Sequence, residues 1–263
     1  MADGDYERGR GREIGEIAAE LKRLASTRLP VFVLNGWAAS PHAWDLCEFM
    51  RPQQVAALPR LFSYVEQLDG EPEKAIENVE RCILVGWSMG GSSALRLAAR
   101  WPEKIAGLVL IAATPRMMEE KESGWKGMSP RRLEALRYGV MMTHGEGFFG
   151  VPEGKPNPYC VDSDENLARG LKYLLETDVR ADLERVFGGK MCACRSPGVH
   201  IFHSERDGIV RPENAAYLQK VFPQASVTMV PGTEHALSIF IPELIDEAVD
   251  SCLRLAAAGQ DIA

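Results

Sequence analysis

No apolar run in the sequence approaches the roughly 20 residues that a helix needs to cross a bilayer, so no membrane span is expected. The opening stretch, MADGDYERGRGREIGEIAAELKRLAS, is charged throughout and lacks the apolar core of a signal peptide. A cytoplasmic location is therefore the expectation. Positive charge is in deficit as well. The formal net charge of −7 argues against a nucleic-acid partner, which would call for a basic face. Cysteines are few and scattered, at Cys47, Cys82, Cys160, Cys192, Cys194 and Cys252. The pair Cys192 and Cys194 has no second ligand pair at zinc-site spacing, so the reading is reduced, mostly buried thiols, with no metal and no cofactor. Internal repeats and low-complexity tracts are missing. Histidine occurs only five times, which makes any search for a catalytic base short.

What is present is ordinary for a folded domain: 263 residues, 46% hydrophobic and 25% charged, enough for one large domain with an insertion. A monomer is expected. Residues 1–30 carry an amphipathic helix, with Ile14, Ile17, Ala18, Leu21, Leu24 and Ala25 on one stripe and Pro30 after it. Apolar strands follow at 31–34, 61–65, 81–87 and 105–113, and again at 199–203 and 226–230. Helices are predicted at 41–50, 89–100, 213–222 and 242–257. This alternation predicts an α/β fold, a mostly parallel sheet with helices on both faces, over 31–114 and 198–263. Residues 115–197 break the rhythm. They hold helical patterns at 130–142, 164–176 and 179–187 around the Gly/Pro-rich HGEGFFGVPEGKPNP, and read as a helical lid over the carboxyl edge of the sheet.

The stretch LVGWSMGG, residues 84–91, fits G-x-S-x-G through Gly86, Ser88 and Gly90. It lies between a predicted strand and a predicted helix. A serine on such a corner is held with a strained backbone and an outward hydroxyl, and the flanking glycines avoid clashes of a Cβ with the neighbouring strand or helix. Alone, the motif is short enough to recur by chance in a structural turn. Its partners should follow in the order nucleophile, acid, histidine, each on a loop after a strand.

His235, in VPGTEHAL after the last strand, is the candidate base. His200 and His203 lie within a strand and read as structural histidines, and His144 falls in the lid. His42 follows the first strand, where it could line a pocket, but too early in the chain to be the base. Asp207, in SERDGIVRP after the penultimate strand, is the candidate acid, with Glu205 its competitor and Glu234 a solvated neighbour of the base. Three residues in the expected order, each after a strand, make Ser88 the nucleophile of a Ser88–Asp207–His235 triad. The oxyanion donors are then the N–H of Met89, next to the nucleophile, and the N–H of Trp37, in the Asn35-Gly36-Trp37 turn after the first strand.

With these residues in place, residues 31–258 resemble the α/β-hydrolase superfamily. Within it the chain is most similar to the pimeloyl-ACP methyl ester carboxylesterases of biotin synthesis. The pieces that match are GWAASPHAW, GWSMGG, WPEKIAGLVLIAATP, TDVRADL, DGIVRP and EHALSIFIPE. The chain departs from the family where Asn35-Gly36 replaces the usual His-Gly and where the D-x-P-G-x-G-x-S loop after the second strand is missing. The helix at 12–26 also stands where the family has antiparallel strands. The resemblance implies a serine esterase that removes methanol from a methyl ester carried on acyl carrier protein.

Carrier proteins of this kind are acidic. The span 115–197 balances its charges while the rest of the chain carries the negative excess, so Arg131, Arg132 and Arg137, with Lys155, Arg169 and Lys172, are candidates for a docking face. Trp37, Met142, Phe148 and Phe149 are candidates for substrate contact, among lid residues that include Met117, Met118, Trp125 and Met141. The same triad would also serve a short-chain esterase, a carbon–carbon bond hydrolase or a menaquinone-pathway lyase. A binding protein that has kept the scaffold without the chemistry is a further reading.

Overall fold

Strand β1 (Val31–Leu34) and strand β3 (Cys82–Trp87) are buried along their whole length, and their side chains alternate between two apolar layers. Val31, Val33, Ile83, Val85 and Trp87 enter one layer, whereas Phe32, Leu34, Cys82 and Leu84 enter the other. Such continuous apolar runs mark strands covered on both faces, because the period of two sends successive side chains to opposite sides. The computed structural model describes residues 29–51, 59–143, 154–160, 162–188 and 198–258. The helix anticipated at 12–26, His144, Phe148, Phe149, Cys192, Cys194 and the side chain of Met141 lie outside the described residues.

Four more strands complete the described sheet: β2 (Arg60–Phe62), β4 (Ile105–Ile111), β5 (Gly198–Ser204) and β6 (Ser226–Val230). Their order is β2-β1-β3-β4-β5-β6, and every pairing is parallel. The sequence order reverses between β1 and β3. In an open α/β sheet, the crevice beyond the carboxyl ends at such a reversal is where ligands bind.

Two short helices follow β2: α1 (Tyr64–Leu68) and α2 (Glu71–Glu77). Helix α3 (Met89–Arg100) leaves β3, α4 (Pro130–Thr143) and α5 (Asp164–Glu176) lie in the insertion, and α6 (Arg180–Phe187) closes it. Helices α7 (Glu213–Val221) and α8 (Pro242–Ala258) complete the set. One layer is covered by α8, through Ile245, Ala248, Val249 and Cys252. The other holds Leu95, Leu97 and Ala98 of α3 with Leu183 and Phe187 of α6 and Leu218 of α7. Helix α6 is thus part of the layer over the sheet face, whereas α4 and α5 of the insertion share an apolar cluster with the loop after β1, Tyr64 of α1 and Met89 of α3.

Two expectations are corrected locally. Residues 41–50 form two 3₁₀ turns, Pro41–Trp44 and Glu48–Met50, rather than one helix. Asp246 of α8 accepts the N–H groups of Glu48 and Phe49, so tertiary bonds take up donors that a continued helix would have used. The second strand stops at Phe62, since Ser63 and Glu66 form a reciprocal capping box that starts α1, making Tyr64 and Val65 helical.

Burial pushes the thiols of Cys82 and Cys252 up to about 12. Among the described residues no helix is long and apolar enough to cross a membrane, and no group of three His, Cys, Asp or Glu is placed to hold a metal ion.

Candidate active site

Ser88 joins β3 to α3 with φ 56° and ψ −117°, a conformation costing an L-residue about 1–3 kcal/mol. The surroundings over-determine it. Its N–H donates to the Ile111 carbonyl at 2.9 Å, and its own carbonyl accepts from Ser92 at 3.1 Å. A Cβ on Gly90 would overlap the carbonyl oxygen of Leu34 and stand 2.7 Å from that of Asn35, so only glycine lets the first turn of α3 pass the end of β1. Two other described non-glycine residues have positive φ, Ala38 and Ala112. All three lie just past the carboxyl ends of the neighbouring strands β1, β3 and β4. Strain of this kind collects at functional sites.

The structure brings the three sequence-derived residues together. His235 Nε2 lies 2.9 Å from Ser88 Oγ, and His235 Nδ1 lies 2.8 Å from Asp207 Oδ2. Asp207 is 3% exposed and His235 8%, whereas Ser88 is partly open. The Asp207 carboxylate is tied down on its other side, where Oδ1 accepts from the N–H groups of Ile209 (2.7 Å) and Val210 (3.1 Å). Burial pushes this carboxyl up, but the charge and hydrogen bond of His235 and the Ile209 N–H hold it below its usual value. It is an anion facing the imidazole. Glu205, the competing acid, is exposed at the end of β5.

The loop that carries His235 is anchored by groups that no local pattern announces. Trp87 Nε1 donates to the His235 carbonyl at 2.9 Å, and the Trp87 ring packs 5.8 Å from the imidazole. Ser204 Oγ donates to the Glu234 carbonyl, tying the end of β5 to the same loop. Burial and the nearby Asp207 charge push the Tyr159 hydroxyl up, so it stays protonated where it packs on Trp87. Tyr159, His235, Gly208, Ile209 and Phe240 line part of a cleft of about 320 Å³.

Across the site, the turn after β1 is built by Asn35. Its Nδ2 donates to the carbonyls of Ala39 (3.2 Å) and Ser40 (3.1 Å), and its Oδ1 accepts from Trp44 Nε1 at 3.1 Å. Gln67 Nε2 holds the Asn35 carbonyl at 2.9 Å. A Cβ on Gly36 would stand 3.2 Å from the Trp87 ring and 3.5 Å from Ser88 Cβ, so this turn runs directly beside the serine. Met89 opens α3, and its N–H has no helical acceptor because a helix leaves its first donors unpaired. A helix N-terminus beside a hydroxyl favours negative charge at that point. Trp37 is held by its indole N–H on the Leu167 carbonyl at 3.0 Å. It belongs to an apolar cluster with Met89, Met117, Met118, Leu133, Leu136 and Leu171.

Other candidates lie on the surface or in local pairs. Met142 is 63% exposed, because the inward stripe of α4 is Leu133, Leu136 and Val140, and Met142 falls off it. Trp125 packs on Tyr217 beneath the Arg180 guanidinium. His42 is exposed and pairs with Asp45 at 2.7 Å rather than lining a pocket. Among the basic residues, Arg137 is paired with Glu134, Arg169 with Asp69 and Lys172 with Glu176. Arg131 and Lys155 are exposed, and Arg132 Nη2 donates to the Gly208 carbonyl at 2.6 Å.

Residues 31–247 match the alpha/beta hydrolase family. The chain is 25% identical to a pimeloyl-[acyl-carrier protein] methyl ester esterase of Nitrosospira multiformis, covering 80% of this chain and 89% of that one. It is 27% identical to the protein of the same description from Nitrosomonas europaea, covering 83% and 93%. In solved structures the fold recurs in an esterase from Exiguobacterium antarcticum, with TM-score 0.65 at 17% identity over 86% of this chain and 92% of that one. A bromoperoxidase from Bacillus anthracis shares it too, with TM-score 0.64 at 19% identity over 86% and 92%. An esterase and a peroxidase on one scaffold illustrate that fold alone does not fix the reaction.

Proposed function

The chain belongs to the alpha/beta hydrolase family as a carboxylic ester hydrolase; on that premise we propose that Ser88, His235 and Asp207 carry the reaction and that its ester is the methyl ester of an acyl chain borne on acyl carrier protein. The observation behind the first part is the unbroken line from Ser88 Oγ through both nitrogens of His235 to Asp207, at 2.9 and 2.8 Å. His235 takes the hydroxyl proton as Ser88 Oγ attacks the ester carbonyl, and the negative charge moves onto the carbonyl oxygen. The Met89 N–H and the N–H of Trp37, in the turn shaped by Asn35, receive that charge. Collapse expels the alcohol, which takes the proton from His235 and leaves as methanol. Water then attacks the acyl-enzyme with His235 as base, releasing the carboxylic acid and free Ser88. Asp207 holds the imidazole in one tautomer and steadies its charged form throughout.

The carrier-linked substrate is supported by the likeness to the two pimeloyl-[acyl-carrier protein] methyl ester esterases and by the apolar cluster that α4 and α5 share with Trp37 in the turn after β1. Arg131 remains an exposed cation on α4 for an acidic partner to meet. The test is methanol release from pimeloyl-ACP methyl ester, set beside a panel of p-nitrophenyl esters, with Ser88→Ala as control. Rapid turnover of the carrier ester, abolished in Ser88→Ala and with KM raised in Arg131→Glu, is the expected result. Hydrolysis of the small esters alone would keep the triad and discard the carrier substrate.

A further inference from the structure

His203 is a titratable group that the reaction above leaves unused, yet it sits against the acid. It occupies the end of β5, one residue before Ser204, and is 0% exposed. Its Nε2 lies 3.0 Å from the carbonyl oxygen of Val210. A carbonyl only accepts, so Nε2 carries the proton and Nδ1 is the bare nitrogen, provided the ring is neutral. That Nδ1 is buried without a hydrogen-bond partner among the described residues. The same Nε2 stands 4.0 Å from Asp207 Oδ2, the oxygen that His235 holds.

Taken together, these contacts close a ring of bonds around the carboxylate. His203 fixes the Val210 carbonyl, and the Val210 and Ile209 N–H groups fix Asp207 Oδ1. Oδ2 is thereby left for His235 alone. We propose that neutral His203 is a positioning residue for Asp207: it holds the 207–210 turn so that one carboxylate oxygen is committed to the backbone and the other to His235. This rests on the reading of Ser88, His235 and Asp207 as the catalytic groups.

The charge state matters as much as the bond. The groups facing His203 are Asp207, His235 and Glu213, together with the Val210 carbonyl. Burial drives its basicity below that of an ordinary histidine, a tendency the Val210 carbonyl and the two carboxylates oppose and His235 reinforces. A proton added to Nδ1 would place a second imidazolium against Asp207 Oδ2 and weaken its hold on His235. The ring therefore works only while neutral, and acid should inactivate the enzyme in part through His203.

The experiment compares wild type, His203→Phe and His203→Gln. Phe fills the space without a donor, and Gln offers an N–H at a similar reach without titrating near neutrality. Three readouts are taken: kcat and KM on p-nitrophenyl butyrate, the rate of Ser88 labelling by a fluorophosphonate, and the pH profile of kcat/KM. His203→Phe should lower kcat and the labelling rate on the order of ten-fold or more with KM little changed, short of the ~10⁴-fold that follows loss of the acid's own function. His203→Gln should recover most of that loss. The acid limb of the wild-type profile should fall more steeply than that of His203→Gln.

Wild-type kcat and labelling in His203→Phe, with only a lower Tm, would overturn the proposal while leaving the triad intact. So would a His203→Gln variant as slow as His203→Phe. Should His203→Phe not fold, the slope in His203→Gln decides, and an unchanged limb would overturn it. A wild-type protein that neither labels nor hydrolyses would overturn the triad reading and this one together.

Discussion

Arg132 of α4 donates through Nη2 to the carbonyl oxygen of Gly208 at 2.6 Å, so a helix of the insertion is bonded to the residue that follows Asp207. Its neighbour Arg131 is exposed on the same helix. The two arginines should therefore separate in their effects. Arg132→Ala loosens the Asp207 loop and is expected to lower kcat several-fold on small and carrier-linked esters alike. Arg131→Glu should raise KM for the carrier-linked ester more than for p-nitrophenyl esters. Steady-state kinetics on both substrates, at two salt concentrations, reads the difference, because an exposed charge contact weakens as salt rises.

Asp207→Asn keeps the shape of the carboxylate and removes its charge. The amide would donate to His235 as readily as accept, favouring the wrong imidazole tautomer, and kcat should fall about 10⁴-fold. Folding should survive, since one side-chain oxygen remains to accept from Ile209 and Val210. Circular dichroism alongside ester hydrolysis checks both halves.

Asn35→Ala leaves the Ala39 and Ser40 carbonyls and the Trp44 indole N–H without their partner. The turn beside Ser88 then loses its fixed shape. Misplacing a single oxyanion donor costs about 10²–10³ in rate, and a loss of that order is expected, chiefly in kcat. Asn35→His, which restores the residue usual in the resembled family, tests whether this turn is built specifically for the amide. Recovery is not expected, because the amide nitrogen serves two carbonyls while its oxygen serves the indole.

Gly90→Ala should be a folding defect rather than a catalytic one. The new Cβ would meet backbone carbonyls at the end of β1, which have no rotamer by which to move aside. A cost of at least about 3 kcal/mol, the upper end of ordinary overpacking, is expected. Urea unfolding followed by fluorescence measures it.

Stability should decline in two steps as pH falls. His203 and His200 sit below their ordinary value through burial, so the unfolded chain binds their protons first, and stability begins to drop as pH passes below about 6.5. Asp207 and Asp178 are carboxylates held low in the fold. Burial pushes Asp178 up, but its hydrogen bonds to Arg180 and Arg116 pull it down to about 2. Their contribution is complete above the ordinary carboxylate value, and that of Asp178 is lost between about 4 and about 2. Urea midpoints measured from about pH 8 to about pH 2 should trace both steps. His203→Gln should diminish the first.

Much of the candidate site could be read directly from the sequence because its parts are each local. Glycines around a serine between a strand and a helix, an Asp-Gly turn and a histidine after the last strands are all short-range patterns, and the sheet brings them to one edge. The alternating apolar strands likewise determined both faces of the sheet. What the sequence left undecided depends on groups far apart in the chain. Asp246 splits the region after β1 into two turns, and Trp87 and Ser204 pin the His235 loop across long separations. The inward stripe of α4 excludes Met142, a choice made by what packs beneath the helix. His203 read as a structural histidine in a strand. Only the folded chain sets it against Asp207, because a turn tightened by two backbone bonds brings the Val210 carbonyl back to the end of β5. Residue type and spacing picked out the candidate groups, and long-range hydrogen bonds in a buried, low-dielectric setting decided what holds them in place.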